Sequence, residues 1–345
     1  MPTMTIEDIA TLAGVSRSTV SRVLNDHPRV SPDVRERVRR VIAEQRYTPH
    51  AAARSLAGSR TNVICLFSLR GAETIFSDQF IPPLVQGISE VCNQRGYFLL
   101  LSMVQTDTAT SLYQRLVRGS HCDGIITLAS DVDDALLELM VADRTPFVLI
   151  GHHPRFPQVA SVDAENVAGA KQATAHLIGL GHRRIATITG PLDTATGIDR
   201  RDGYLAALRE AGLPTPPELI VEGNFWQGSG QTAMQQLLAL PGRPTALFAA
   251  SDSMAAGALT AIREAGLRVP EDIAVVGFDD SPIAALTTPT LTTVRQPIDR
   301  LGAEAARLLI DQLQEGSPDP LAAQLPVELV IRDSCGARGG AERKS

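Results

Sequence analysis

Hydrophobic and polar positions follow a helical period at the start of the chain. Apolar residues at Ile6, Ile9 and Ala13 fall on one helical face, and Thr5 stands three residues before Asp8 as in a capping box. The pattern predicts a helix from about Ile6 to Ala13.

A second helix is predicted to follow after a tight turn. Gly14 supplies the positive φ of that turn, and Ser16 is placed to cap a helix that ends near Asn25. At about 100° per residue the side chains divide into two arcs. The polar arc holds Arg17, Ser18, Ser21, Arg22 and Asn25, and the apolar arc holds Val20, Val23 and Leu24.

A third amphipathic helix is predicted to begin at Ser31 and Pro32, with Val34, Val38 and Val41 at helical spacing. Three such helices can share one small core. A helix, a tight turn and a short helix with an outward polar face form a helix-turn-helix, whose second helix enters the DNA major groove.

The polar arc of the second helix carries candidate groups for reading bases. An arginine can bond guanine O6 and N7 together, whereas serine tolerates any base. Arg17 and Arg22 are therefore the sharpest candidates, and Ser18 joins them. The alternative from periodicity alone is a helical hairpin with a solvated polar face.

From residue 63 onward, near-continuous apolar runs alternate with helical segments. The runs are VICLFSL, YFLLLSMV, DGIITLA, FVLIG, RIATITG, LIVEGNF, TALFAAS and IAVVGF. Such runs are typical of parallel strands covered by helices on both faces. They predict two successive doubly wound α/β subdomains over about 62–160 and 161–290. The later segment PTLTTVRQPIDRLGAEAARLLIDQL can cross back to the first of them.

Length and composition agree with a multidomain globular protein. The chain has 345 residues, of which 44% are hydrophobic and 20% are charged. No run approaches the roughly 18 apolar residues of a membrane helix, and the N-terminus lacks the layout of a secretory signal. A cytoplasmic protein without a membrane partner is expected.

Charge is distributed unevenly along the chain. Residues 1–60 carry ten arginines against six acidic residues, a net charge of +4, which leaves −10 for the rest of a chain whose total is −6. A small basic unit joined to a larger acidic one is expected when only the first meets phosphate.

Ligands of open α/β sheets bind beyond the carboxyl ends of the strands, so a cleft between the two subdomains is the predicted ligand site. Its candidates are Asp78, Gln79, Phe80, Ser130, Asp131, His152, His153, Arg200, Phe225, Trp226, Ser251, Asp252, Asp279 and Asp280. Carboxylates, an arginine and aromatic rings suit a polyhydroxylated ligand, because each hydroxyl both donates and accepts while C–H faces stack on rings. A purine would also fit.

The motifs for an enzyme or a metal site are weak or missing. The string from Gly228 to Ala233 has a GxGxxA pattern but does not directly follow a strand, so no dinucleotide cofactor is expected. The sequence has no GxSxG, HExxH or P-loop motif, and its four cysteines lack zinc spacing. The chain is therefore expected to be neither an enzyme nor a metal or cofactor protein. A transport-type binding protein, the other alternative, would need export.

The stretch TIEDIATLAGVSRSTVSRVLNDHPRVSPDVRERVRRVIAEQRYTPHAAARSLAG resembles the DNA-binding head of the LacI/GalR family of bacterial transcription regulators. The likeness is strongest in AGVSxxTVSRVLN, Val30-Ser31, Tyr47-x-Pro49 and the segment from Ala53 to Leu56. One departure is His50, where the family commonly has Asn. The DNA contacts that we expect from the helix pattern and the resemblance together are Thr5, Ser16, Arg17, Ser18, Thr19, Ser21, Arg22, Asn25, Val30, Tyr47, Ala53 and Leu56.

The rest of the chain is similar to the effector-binding core of the same family. The matching segments are HLIGLGHRRIATITGP, RRDGYLAALREAG, SDSMAAGALTAIREAGLRVPEDIAVVGFDD and TPTLTTVRQPIDRLG. The resemblance implies that Arg200 and Asp279 contact the effector and that Phe225 is an aromatic platform. Several members carry Asp where this chain has Gly151, so His152 or His153 could take its place.

The effector set expected from this reasoning is Asp78, Gln79, Phe80, Ser130, His152, Arg200, Phe225, Ser251, Asp252 and Asp279. The effector is expected to be a sugar or sugar derivative rather than a purine. A homodimer on palindromic operator DNA is expected because one short recognition helix makes too few base contacts for useful specificity.

The predicted boundaries are a helix-turn-helix domain over 1–48, a hinge helix or linker over 49–61, an effector core over 62–335 and a disordered tail over 336–345. The resemblance implies that Leu56 in the hinge is an apolar wedge in the minor groove, and the alternative is a plain linker. The tail has no heptad leucines, so no tail-mediated tetramer is expected.

Overall fold

The chain divides into a head, residues 1–61, and a body, residues 62–345. A computed structural model describes residues 4–24, 27–45, 47, 60–69, 79–104, 106–128, 135–316 and 322–337.

The described residues of the head form three helices: α1 (Ile6–Ala13), α2 (Arg17–Leu24) and α3 (Pro32–Glu44). The capping box at the start of α1 is present, because the Thr5 hydroxyl accepts from the Asp8 amide and the Asp8 carboxylate accepts from the Thr5 amide at 2.8 Å. Gly14 ends α1 with a φ of 63°. The apolar arcs of the three helices form one core, in which Ile9 and Val38 are fully buried. The predicted helix-turn-helix fold is confirmed.

The body contains twelve strands among its described residues. They are β1 (Val63–Ser68), β2 (Phe98–Met103), β3 (Gly124–Leu128), β4 (Phe147–Ile150), β5 (Ser161–Ala164), β6 (Ile185–Thr189), β7 (Ile220–Glu222), β8 (Ala246–Ala249), β9 (Ala274–Asp279), β10 (Thr292–Arg295), β11 (Ala322–Leu325) and β12 (Glu328–Val330).

The described helices of the body lie between these strands. They are α4 (Ile81–Arg95), α5 (Thr106–Arg118), α6 (Ala135–Ala142), α7 (Asn166–Gly179), α8 (Ala195–Glu210), α9 (Gln227–Leu238), α10 (Asp252–Glu264), α11 (Pro282–Leu286) and α12 (Ile298–Glu315). Within the described chain, none of its helices is long and apolar enough to cross a membrane.

The strands form two six-stranded sheets. The first has the order β11-β5-β4-β3-β1-β2 and is parallel throughout, with α4 and α12 packed on one face and α5 and α6 on the other. The second has the order β12-β10-β9-β8-β6-β7, with α7 and α8 on one face and α9 and α10 on the other. Near-continuous apolar runs suit this double cover. The two predicted doubly wound subdomains are therefore confirmed.

The backbone passes between the two subdomains three times. It leaves the first sheet after β5 for α7, returns after β10 to α12, and leaves again after β11 for β12. The predicted boundary near residue 160 is thus too early, because Ser161–Ala164 still pairs with β4. The edge strand β12 runs antiparallel to β10, unlike the parallel strands that the sequence predicts.

Glycines set the distance between the helices that cover these sheets. A Cβ added at Gly87 of α4 would stand 1.8 Å from the carbonyl oxygen of Asp299 in α12. At Gly257 of α10 it would stand 1.9 Å from that of Gln227 in α9, and at Gly203 of α8 it would stand 2.3 Å from that of Val167 in α7. Three helix pairs therefore cross with their backbones in direct contact.

Candidate functional site

A cavity of about 100 Å³ lies in the body and takes its walls from both subdomains. Several strands of both sheets end at it, which is where ligands of α/β sheets bind. The residues that line it are Gln79, Phe80, Leu128, Ile150, Gly151, Asp163, Asn166, Thr194, Thr196, Arg200, Phe225, Ser251, Ser253, Asp279, Gln296 and Leu301.

Arg200 of α8 is the central cation of this cavity, and only 4% of it is exposed. Its Nε donates to Oδ1 of Asn166 at 2.9 Å, and its Nη1 donates to the carbonyl of Ala250 at 2.6 Å. The guanidinium also stacks on the Phe278 ring, 3.7 Å from the ring centroid. The side chain is therefore held in one orientation. Nη2 donates to no described acceptor, so it can serve a ligand.

Asp279 at the end of β9 lies opposite this guanidinium. Its Oδ1 accepts from Nη1 of Arg200 at 3.1 Å and from Nε2 of Gln296 at 2.7 Å. The backbone φ of Asp279 is 114°, and that of Phe225 is 69°. Residues other than glycine rarely hold such angles, at a cost of about 1–3 kcal/mol each, and they cluster at ligand sites.

The aromatic wall of the cavity includes Phe225, which follows β7. A Cβ added at Gly190 would meet the Phe225 ring at 2.1 Å, so glycine at that position leaves room for the ring. The Ser251 hydroxyl donates to the backbone carbonyl of Phe225 at 3.3 Å and fixes the segment that carries it. The cavity therefore offers an apolar face beside a charged pair.

A continuous chain of hydrogen bonds connects the two subdomains behind the cavity. Asp163 of β5 accepts from the Asn166 amide at 2.9 Å, and Asn166 in turn accepts from Arg200. Arg200 donates to Asp279, which also accepts from Gln296. Asn166 and Gln296 stand at two of the three backbone crossings. The polar groups of the cavity are thus coupled to the crossings between the subdomains.

Six of the ten predicted effector residues lie together in this cavity: Gln79, Phe80, Arg200, Phe225, Ser251 and Asp279. Asp78 and Ser130 lie outside the described residues, as does Asp131. His152 and Asp252 are described but do not line the cavity.

Asp252 differs from the prediction because its carboxylate points into the second subdomain. It is fully buried, and its Oδ2 accepts from the Ser281 amide at 2.7 Å. Its Oδ1 accepts from the Thr293 hydroxyl at 2.5 Å. Burial, followed by the charge of Asp279, raises the pKa of this carboxyl well above its usual range. Ser253, one residue later, faces the cavity instead.

His152 also differs, because its ring turns to two carboxylates. Its Nδ1 lies 2.9 Å from Oδ2 of Asp163 and 3.8 Å from Oδ2 of Asp199 in α8. The hydrogen bond with Asp163 raises the pKa of His152. Burial raises the pKa of Asp199 to about 6, although the nearby His152 lowers it. His153, the other substitute considered, is buried against Phe156.

Asn166, Asp163 and Gln296 belong to the cavity but were not predicted. Asp163 lies in β5 and Asn166 follows it. The short sequence SVDA of this strand does not predict a strand. Gln296 directly follows β10, in a segment that the sequence predicts only as a crossing to the first subdomain. The polar residues at the carboxyl ends of β5 and β10 are the feature of the sequence that could have indicated these side chains.

In the head, α2 presents its polar arc to solvent. Arg17, Ser18 and Arg22 are exposed, whereas Val20 and Val23 are buried. Ser16 caps the helix by accepting from the Thr19 amide at 3.2 Å. Arg17 pairs with Glu7 of α1 at 3.1 Å. These polar side chains of α2 are therefore exposed, as contact with bases in the major groove requires.

The remaining predicted DNA contacts differ in how exposed they are. Thr5 is engaged in the α1 capping box, and Ser21, Thr19 and Val30 are partly exposed. Tyr47 packs into the core of the head with 8% of its surface exposed, so its ring supports the helices. Asn25, Ala53 and Leu56 lie outside the described residues, together with most of the predicted hinge and with residues 338–345 of the predicted tail.

Comparison with known proteins supports both units. Residues 5–50 match the family described as bacterial regulatory proteins, lacI family, and residues 174–335 match a periplasmic binding protein-like domain. The HTH-type transcriptional regulator CelR of Thermobifida fusca is 40% identical over 332 residues, which cover 96% of this chain and 98% of CelR. The chain belongs to the LacI family of bacterial regulatory proteins. A LacI-family member of this organisation is a DNA-binding transcription regulator with an effector-binding body.

Two solved LacI-family structures match the fold over most of its length. A complex of the transcriptional regulator CelR with cellobiose has a TM-score of 0.77 and 38% identity, and it covers 96% of this chain and 99% of that chain. A lac repressor dimer bound to operator and to an anti-inducer has a TM-score of 0.82 and 30% identity, with the same coverage.

Proposed function

We propose that this LacI-family regulator is a repressor that binds palindromic operator DNA as a homodimer and that a sugar in the cavity controls its operator affinity. The observation that carries the effector part is the Arg200–Asp279 pair beside the Phe225 ring at a cavity between two subdomains.

A sugar suits this arrangement chemically. Sugar hydroxyls can accept from the Nη2 of Arg200 and donate to carboxylate or amide oxygens, and the apolar face of a pyranose can lie on the Phe225 ring. The LacI-family relative CelR has been solved with cellobiose, which supports a carbohydrate as the class of effector. A purine, which would stack on the same ring, is the competing outcome of the test below.

The route from effector to DNA runs through the subdomain orientation. A ligand that touches Gln79 and Phe80 of the first subdomain and Arg200 of the second binds differently to each relative orientation. Only such differential affinity can shift a conformational equilibrium. The hydrogen-bonded chain from Asp163 to Gln296 passes the crossings about which the subdomains would turn.

The DNA part rests on the exposed arc of α2. Arg17, Ser18 and Arg22 are the groups that would contact base edges, and two heads would read the two halves of a palindrome. The dimer seen for the lac repressor on its operator supports two copies. We further propose that the body binds its effector without converting it.

The effector site is tested with two separate variants, one at Arg200 and one at the neighbouring Arg201. Arg200→Ala removes a buried, charged donor and is expected to weaken sugar binding by about 1.5–3 kcal/mol, or roughly 10- to 150-fold. Arg201→Ala is the matched control, because Arg201 pairs with its neighbour Asp202 and does not line the cavity. Calorimetry would be run with cellobiose, glucose, ribose, guanine and hypoxanthine on both variants and the wild type.

Arg200 also holds Asn166 and Asp279, so each variant is first checked for an unchanged unfolding transition. Phe225→Leu, which removes only the aromatic face, gives a second measure if Arg200→Ala is unstable. The site assignment is wrong if the ligand that binds wild type binds Arg200→Ala and Phe225→Leu equally tightly. Binding of purines alone would replace the sugar, and turnover of the bound ligand would overturn the regulator-only proposal.

A further inference from the structure

Three potential metal ligands converge beside the cavity, and one of them, Asp163, also lines it. They are His152 after β4, Asp163 in β5 and Asp199 in α8, and their ligand atoms all lie within 4.8 Å of one another. The imidazole Nδ1 is 2.9 Å from one carboxylate and 3.8 Å from the other.

These separations match the shell of a small divalent ion. Zinc binds His nitrogen and carboxylate oxygen at about 2.0–2.2 Å, so donors on a tetrahedral or octahedral shell lie about 3–3.6 Å apart. For the two pairs that His152 makes, at 2.9 and 3.8 Å, the ligand atoms would need to shift by only a few tenths of an ångström, and the two carboxylates lie within 4.8 Å of each other. One imidazole with two carboxylates is a donor set that suits first-row transition metals better than an all-oxygen site.

The carboxylate of Asp163 is already oriented as a ligand would be. Its Oδ1 accepts from the Ala164 amide at 2.8 Å and from the Asn166 side chain at 2.9 Å. This leaves Oδ2 directed at His152. Hydrogen bonds that fix the second oxygen of a carboxylate are the usual outer support of metal ligands.

We propose that His152, Asp163 and Asp199 bind one divalent transition-metal ion, of which Zn²⁺ is the probe, and that this ion bridges the two subdomains. His152 and Asp163 belong to the first subdomain, whereas Asp199 stands on α8 of the second. A bound ion therefore favours the subdomain orientation in which the three ligands meet. Three protein ligands leave further coordination positions for water.

The ion would also act on the effector cavity. Asp163 lines the cavity and holds Asn166, which in turn accepts from Arg200. The metal site is thus joined by two hydrogen bonds to the guanidinium of the proposed sugar site. The sugar proposal and the metal proposal remain separate, because zinc is titrated without any sugar.

The test is a calorimetric zinc titration of the full-length chain after chelator treatment. Wild type is expected to bind one ion at this site, and His152→Ala and Asp199→Asn are each expected to weaken it by more than about 10-fold, since outer-shell changes alone cost 10- to 100-fold. Asp199→Asn keeps the shape of the side chain and guards against a folding defect.

Two control variants show whether zinc binds at residues outside the proposed site. His182→Ala removes a histidine whose ring bonds Thr245, and Cys122→Ser removes a partly exposed thiol. Both are expected to keep the wild-type zinc affinity at the site. A small-angle scattering profile that changes with zinc in wild type and not in Asp199→Asn would support the bridge. Equal zinc binding by wild type, His152→Ala and Asp199→Asn, or no binding at millimolar zinc, overturns the proposal.

Discussion

Asp252 carries a carboxyl group that water does not reach. It accepts hydrogen bonds from the Ser281 amide and the Thr293 hydroxyl, and Asp279 adds a nearby negative charge. Burial first and this charge second raise the pKa of Asp252 in the folded protein above its value of about 3.9 in an unfolded chain. The folded protein therefore holds this proton more tightly than the unfolded chain does.

Stability should consequently depend on pH through this one residue. Above about pH 4 the unfolded chain loses the proton first, so the contribution of Asp252 to the free energy of unfolding falls as pH rises, by at most about 1.4 kcal/mol per pH unit. Asp252→Asn cannot ionise. Denaturant unfolding from pH 4 upward should show the stability of this variant relative to wild type improving as pH rises from about 4 towards the raised pKa of Asp252 in the folded protein. A stability difference between the two proteins that stays constant as pH rises above 4 would contradict the raised pKa.

Individual residues of the cavity were predictable where the sequence predicts the strand that leads to them. Arg200 and Asp279 were found because the preceding and following segments had clear patterns and matched a family. Asp163 and Gln296 were missed because their strands were missed. Asp252 is predicted as an effector contact, but its carboxylate is buried in the second subdomain. A sequence pattern places a residue at the end of a strand, but it does not show which way its side chain faces.

At the scale of elements, three pairs of helices contact each other through a glycine, and these glycines set the distance between the two helices of each pair. Gly257 of α10 lies against the backbone of Gln227, so the Cβ of an alanine would come 1.9 Å from a carbonyl oxygen. The helices would have to separate, and overpacking of this kind typically costs about 1–3 kcal/mol. Gly228, in the first turn of α9, has nothing within 4 Å of an added Cβ.

The two alanine substitutions should therefore differ in their effect on stability. Gly257→Ala is expected to lower the free energy of unfolding by about 1–3 kcal/mol, and Gly228→Ala to leave it unchanged or raise it by about 0.5–1 kcal/mol through helix propensity. Thermal and urea unfolding of both variants against wild type measures this. If Gly257→Ala is as stable as Gly228→Ala, the helices do not cross in backbone contact.

Eight strands were predictable from the sequence because each is an apolar run. Six of them are largely buried, whereas the edge strands β2 and β7 are partly exposed. The remaining four have the runs SVDA, TTVR, AAQL and ELV, which are short and partly polar. Their positions are decided by pairing with strands far away in the chain, such as Ala322–Leu325 against Ser161–Ala164. Local periodicity carries no information about such pairing, and this is why the crossings were placed only approximately.

For the whole molecule, the reading of a palindrome by two heads can be tested directly. Sedimentation of the protein with a palindromic operator duplex should give two chains per duplex. A duplex with one half-site scrambled should bind much more weakly at the same salt concentration, because the base contacts of one α2 are lost. A single chain per duplex under conditions of full operator binding would refute the homodimer.

The three backbone crossings also order the events of synthesis. The described core of the head draws only on residues before 48, so the head can fold while the ribosome is still making the body. The first subdomain cannot be completed then, because its covering helix α12 and its edge strand β11 are translated only after strands β6 to β10 of the second subdomain. A premature stop codon between β5 and α12 therefore leaves a finished head attached to an open, apolar sheet. We expect such truncated products to be degraded rather than to accumulate as regulators without an effector response.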